Sequence, residues 1–192
     1  MAISERRTRE QAARRRLIIG TARKLAEAEG WEAVTTRRLS EEIEYSQPVL
    51  YKHFSGMDNI AEAVALDGFG ELAEALSDAR RGRRTAKATL KRLALAYLDF
   101  ADKNPALYDA MFTRATTLRF ADADTPPELS AGFAELRQAV AQIAGRQDVD
   151  TLTEVLWAAL HGLAVLSRGA RLRAGQRSAR VELLIDQFCL AP

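Results

Sequence analysis

Residues Gln47 to Phe54 read QPVLYKHF and gather side chains that can address a nucleic-acid duplex. Gln47 can pair bidentately with adenine, Val49 can touch a thymine methyl, and Lys52 can reach guanine or phosphate. Tyr51 and His53 can donate to phosphate oxygens, contacts that fix register without reading sequence. Each base-edge contact of this kind discriminates by roughly 1–3 kcal/mol. The chemistry available in this octet is therefore recognition, both of backbone and of base edges.

Such residues need two helices and a turn to hold them. Upstream, Thr35 and Thr36 precede Leu39 and Ile43, which share one helical face among the charged residues Arg37, Arg38, Glu41 and Glu42. This pattern predicts a short, capped amphipathic helix. The chain then turns through Glu44 and Tyr45 to Ser46, whose oxygen suits a free backbone N–H, and Pro48 falls in the first turn of a second short helix. Leu50 and Phe54, four apart, continue the apolar stripe, leaving Gln47, Pro48, Val49, Tyr51, Lys52 and His53 on the open side. The expected DNA-contact set is Thr35, Thr36, Arg37, Ser46, Gln47, Pro48, Val49, Tyr51, Lys52 and His53.

The run from about Leu17 to Val64, with its LYKHF signature, resembles the DNA-binding domain of the tetracycline-repressor (TetR) family, and Ser55 to Ile60 extends the match into the next helix start. The resemblance implies an all-helical, two-domain, homodimeric regulator. Its first three helices are expected to bind an operator, and the remaining helices a small molecule and the partner subunit. Two positions depart from the family pattern. Glu44 stands at the turn position that usually holds Gly, where a left-handed conformation costs a non-Gly residue roughly 1–2 kcal/mol. Met57 stands where relatives commonly carry a phosphate-touching Lys, leaving helix-start N–H groups to hold that phosphate.

The first helix is expected from about Arg14 to Glu29, with Leu17, Ile18, Ala22, Leu25 and Ala26 inward, Gly30 ending it and Trp31 plugging the small core. Ahead of it, Arg6, Arg7, Arg9, Arg14, Arg15 and Arg16 are diluted only by Glu5 and Glu10. Such an arm suits phosphates; a solvated, frayed terminus is the plainer alternative. Residues 1–55 hold eleven Lys or Arg against eight acids and the rest seventeen against eighteen, so the basic excess sits at the reading end. A net charge of +2 is too small for general coating of nucleic acid, and binding must depend on placement.

With 192 residues, 47% of them hydrophobic, the chain can build a reading domain over 1–55 and a larger helical ligand-binding and dimerisation domain over 56–192. No apolar run is expected to reach membrane-spanning length and no apolar export segment follows the basic N-terminus, so the expected location is the cytoplasm. Cys189 is the only cysteine, which excludes an intrachain disulfide; it reads as a buried C-terminal thiol, with redox sensing as the alternative. Helical periodicity persists between breaks at 80–84, Asn104-Pro105, Ala121 to Pro127, Gly145 to Asp150 and Gly169 to Ser178. The predicted fold is all-α, with about nine helices, no repeat and no sheet.

Helix four, about Asp58 to Arg80, links the domains, and its Gly68 and Gly70 mark a bend or a close helix contact. Tyr97, Tyr108, Met111, Phe112 and Phe133 have the spacing of ordinary core. The resemblance makes them candidates to line an effector pocket, with Leu136 and Val140 beside Phe133. The stretch LWAALHGL, Leu156 to Leu163, resembles the Trp-x-x-x-His-Gly (WHG) signature of one C-terminal subclass of the family, and NPALYDAMF, Asn104 to Phe112, is also similar to that subclass. Trp157 and His161 join the ligand candidates on that ground, a hydrogen-bonded core histidine being the other reading of His161. Since His53 is the only other histidine, a metal cluster or a His-based triad is not expected, and no cofactor is implied.

Apolar positions on more than one side of helices eight and nine, about Asp150 to Arg168 and Ala179 to Leu190, predict a twofold interface. Leu156, Leu163, Leu166, Leu184 and Phe188 are its candidates. The arginines at 168, 171, 173, 177 and 180 between them read as a solvated loop. The expected function is a ligand-responsive regulator, a homodimer released from a palindromic double-stranded operator by a small molecule. The alternatives are an activator or ligand-independent regulator and, more remotely, a ligand-binding protein or enzyme using the helix-turn-helix as scaffold. No phosphate loop, nucleophile elbow or isolated carboxylate pair argues for catalysis.

Overall fold

The computed structural model describes residues 2–82, 85–114, 118 and 125–190. Among them are nine α-helices and no strand. The chain divides into two compact units, Met1–Gly68 with Asn104–Arg119, and Phe69–Lys103 with Phe120–Pro192. Breaks expected within 83–84 and 121–124 lie outside the described residues.

The first unit is built on α1, Ala2–Glu29, which begins well before the expected Arg14. Residues 5–17 are exposed, so this extension rests on local helix formers and on pairs such as Arg6–Glu10 at 2.9 Å. The basic arm is thus a helix rather than a frayed end. From Ile18 onward one face enters the core through Ile18, Ile19, Ala22, Leu25 and Ala26, whereas Leu17, expected inward, is 45% exposed. Gly30 ends the helix at φ 86°, a conformation that favours glycine.

Trp31, in a 3-10 turn over Trp31–Ala33, is buried as expected. Its indole N–H donates to the Ala106 carbonyl at 2.8 Å, which no local pattern foretold. Ala106 belongs to α6, Pro105–Asp109, which continues as a π-helical turn over Ala110–Arg114. Glu27 accepts the backbone N–H groups of Ala106 at 3.1 Å and Leu107 at 2.9 Å, and Arg23 donates to Asn104 at 3.0 Å. A carboxylate at a helix start satisfies donors that have no partner inside the helix. At the other end of this segment Arg114 pairs with Glu32. The helix α4, Met57–Arg80, is continuous across the division at Gly68. A Cβ on Gly68 would lie 2.8 Å from both Leu107 Cδ1 and Met111 Sδ, so the glycine marks a close approach and not a bend.

In the second unit α5, Ala86–Lys103, packs against α7 (Pro127–Val140), α8 (Val149–Arg168) and α9 (Arg177–Leu190). Its Leu90, Leu93, Ala94, Leu98 and Ala101 meet a core completed by Leu136, Val140, Leu160, Ala164, Val181 and Ile185. Asp148 caps α8 by accepting the Thr151 N–H at 2.8 Å. Arg177, expected in a solvated loop, opens α9 and pairs with Asp99 at 2.8 Å and Asp102 at 2.9 Å on α5. Arg80 pairs with Glu135 at 2.6 Å.

Two expectations fail on α8. Contrary to the reading that no apolar run reaches membrane-spanning length, Val149–Arg168 does so by length and composition, with a mean hydropathy of 1.3. Its Thr153, Leu156, Leu160 and Ala164 are buried on the side that packs on α5 and α7, while most of the helix is not buried. Leu156, expected at a dimer interface, is 1% exposed because it faces that same core. The large apolar side chains left outward are Val155, Val165 and Leu166 on α8 and Leu183 on α9, while Leu163, Leu184 and Phe188 are partly covered.

Candidate nucleic-acid interface

The reading head begins with α2, Thr36–Ile43. Thr35 is its N-cap, its side chain accepting the Arg38 N–H at 3.2 Å, and Leu39 and Ile43 are buried as the spacing required. At its end Glu44 takes the left-handed conformation, φ 57° and ψ 32°. The N–H groups of Glu44 and Tyr45 both return to the Ser40 carbonyl. The turn therefore keeps the geometry that glycine usually supplies, with a strain of about 1–2 kcal/mol.

The recognition helix α3, Gln47–Tyr51, is short. Ser46 is its N-cap, but its hydroxyl makes no capping bond; the Ser46 carbonyl accepts the Val49 N–H at 2.9 Å instead. Pro48 sits in the first turn, where a missing N–H costs little. Leu50 is buried within α3, and Phe54, expected on the same helix, lies beyond its end yet is buried too. The Leu50 carbonyl binds them together, accepting N–H groups from His53 at 2.9 Å and Phe54 at 3.0 Å.

With that stripe inward, Ser46, Gln47, Pro48 and Lys52 are exposed, Tyr51 is 54% exposed, and Val49 and His53 are partly covered. Thr35 and Arg37 are exposed and Thr36 partly so. Arg37 pairs with Glu41 at 2.9 Å; the hydrogen bond to that carboxylate and its charge hold the guanidinium above its usual range. A pair so exposed contributes little and can yield to a phosphate. One contact was invisible in the sequence: Arg15, across 38 positions, donates to the His53 carbonyl at 3.4 Å, and its guanidinium carbon lies 4.3 Å from the Phe54 ring centroid.

The effector candidates divide between the units. Tyr108, Met111 and Phe112 belong to the unit that carries the reading head, with Tyr108 and Met111 buried and the Tyr108 and Phe112 rings 4.6 Å apart. Tyr97, Phe133, Trp157 and His161 belong to the other. There the Trp157 indole N–H donates to the buried Tyr97 hydroxyl at 3.2 Å, and Phe133 meets Trp157 edge-on at 6.4 Å. Burial pushes the half-covered His161 imidazole below its ordinary range. Among the described residues no cluster of His, Cys, Asp and Glu could hold a metal ion.

Residues 18–64 match the family described as bacterial regulatory proteins, tetR family, and residues 90–188 match the tetracyclin repressor-like C-terminal domain. The chain belongs to the TetR family. The family's members are transcriptional regulators and not enzymes, and this TetR-family chain carries their helix-turn-helix. It is 34% identical over 95 residues to the uncharacterized HTH-type transcriptional regulator YobS of Bacillus subtilis, and the match spans 50% of this chain and 49% of YobS, about half the length of that relative. A protein of unknown function from Rhodococcus sp. RHA1 superposes with a TM-score of 0.74 and 26% identity, covering 91% of this chain and 93% of its own. The fold is shared with FadR of Bacillus subtilis, solved in complex with stearoyl-CoA, at a TM-score of 0.66 and 11% identity, with 91% of this chain and 97% of FadR covered.

Proposed function

We propose that this TetR-family regulator acts as a homodimeric repressor that leaves a palindromic double-stranded operator when a small molecule binds. The observation that carries the reading is the two-sidedness of the recognition segment: Leu50 and Phe54 are buried while Gln47, Pro48, Tyr51 and Lys52 stand outward. In a twofold dimer two such helices enter successive major grooves, with centres about 34–36 Å apart. The functional division is at 55/56, with 56–192 taking the effector and the partner subunit. Val155, Val165, Leu166 and Leu183 favour a dimer through α8 and α9, joined there by the flanking Leu163, Leu184 and Phe188. The effector is taken by the aromatic set of Tyr97, Phe133 and Trp157, all in one unit. The ligand in FadR supports an apolar or amphiphilic effector class. Operator and effector then weaken each other by the same factor. Trp157, His161 and Gly162 support placement in the WHG subclass, and the working location is the cytoplasm.

Selection from randomised duplexes, followed by footprinting, tests the reading. A twofold-symmetric protected site bound by a dimer is expected. Failure to enrich any sequence, or protection of a single half-site by a monomer, overturns it.

A further inference from the structure

We propose that Arg15 is a positioning residue for the recognition helix, clamping its C-terminal end and so setting how well specific DNA is told from non-specific DNA. The inference deepens the operator-binding reading and rests on it. Helix α3 has five residues, too few to hold its own direction without tertiary support. Its buried anchor is Leu50, packed from within; its C-terminal carbonyls have no helical partner. Val49 O accepts the Lys52 N–H and Leu50 O accepts two N–H groups, and just beyond the helix His53 O receives Arg15 at 3.4 Å. The same guanidinium lies over the ring of Phe54, which is 4% exposed and therefore a fixed platform.

Arg15 is also distinguished by its place on α1. Residues 5–17 are exposed, and the core face begins at Ile18, so Arg15 sits where the helix leaves its domain and reaches back to the end of α3. A planar, forked guanidinium can stack and donate at once, whereas a lysine ammonium offers a point charge on a flexible stem. Fixing His53 and Phe54 fixes the tilt of the segment before them, and with it the approach of Gln47 and Lys52 to base edges, which tolerate only narrow hydrogen-bond geometry.

A phosphate contact at Arg15 behaves differently, so the two roles separate experimentally. Full-length wild type, Arg15→Ala, Arg15→Lys, Phe54→Leu and the Arg15→Ala/Phe54→Leu double variant are titrated with the selected duplex and with a scrambled duplex across a salt series. Arg15→Ala and Arg15→Lys are each expected to lose about tenfold for the selected duplex, with unchanged affinity for the scrambled one and an unchanged salt slope. Phe54→Leu is expected to lose a similar factor, and the double variant no more than either alone, because both remove one contact. A slope lowered by about 0.9 in Arg15→Ala, with Arg15→Lys restoring full affinity, overturns the proposal in favour of a phosphate contact. Equal losses on both duplexes overturn it in favour of a general folding role. Wild-type protein that binds no duplex overturns the operator-binding reading and this inference with it, a result distinguishable from the other two.

Discussion

Glu27 of α1 holds the N-terminus of α6 by accepting the Leu107 N–H at 2.9 Å, eighty residues away. The same carboxylate takes the Ala106 N–H, while Trp31 takes the carbonyl of Ala106 and Arg23 the side chain of Asn104. The segment 104–114 is thereby tied to α1 within the unit that contains the reading head. Removing the carboxylate leaves two helix-start donors without their partner. Glu27→Ala is expected to lower unfolding stability by about 1–2 kcal/mol, and Glu27→Gln by less, since its amide oxygen can still accept. Urea denaturation monitored by helicity checks this; an unchanged midpoint in Glu27→Ala would show that the contact contributes nothing.

The two glycines of α4 make opposite predictions. Gly68 faces Leu107 and Met111, both buried, with room for no further atom, so Gly68→Val is expected to destabilise by about 1–3 kcal/mol through overpacking. Nothing lies within 4 Å of a Cβ at Gly70, and Gly70→Ala is expected to stabilise by about 0.5–1 kcal/mol through helix propensity. Thermal unfolding of the two variants should move in opposite directions, and a common direction would contradict the assigned contact.

The sequence carried these elements unevenly. Helix positions, the Thr35 cap and the inward stripe of Leu39, Ile43, Leu50 and Phe54 were legible because helical period and cap chemistry are local. Glu44 was legible as an anomaly, and the chain resolves it by accepting the left-handed conformation. What was not legible spans long separations. The links from Arg15 to His53, Glu27 to Leu107 and Trp31 to Ala106 depend on which helices meet, and no spacing rule connects them. Leu17 and Leu156 were misplaced for a related reason: an apolar residue at the margin of a stripe is turned in or out by its neighbours in space. The helicity of the arm lies in the helix propensity of its arginines, which their charge pattern alone does not display.

His161 predicts a pH dependence. Burial lowers its imidazole below the ordinary value of about 6.5, so the folded protein binds that proton more weakly than the unfolded chain does. The unfolded state is then favoured as pH drops through about 6.5 toward the lower folded value, and the contribution is fully present above it. The wild type is expected to lose more stability than His161→Gln between pH 7.5 and 5.5, two values chosen to bracket roughly that titration. Parallel loss in the two proteins would contradict the assignment.

If the outward face of α3 reads DNA, binding measured across a salt series must change in Lys52→Ala. Titrating wild type and variant with the selected duplex by fluorescence anisotropy is expected to show at least a several-fold weaker complex and a log-affinity slope against log-salt reduced by about 0.7–0.9 for one lost phosphate contact, or a specific loss with unchanged slope if Lys52 reads guanine. Superimposable isotherms across the salt series, or no binding by wild type at low ionic strength, would contradict it.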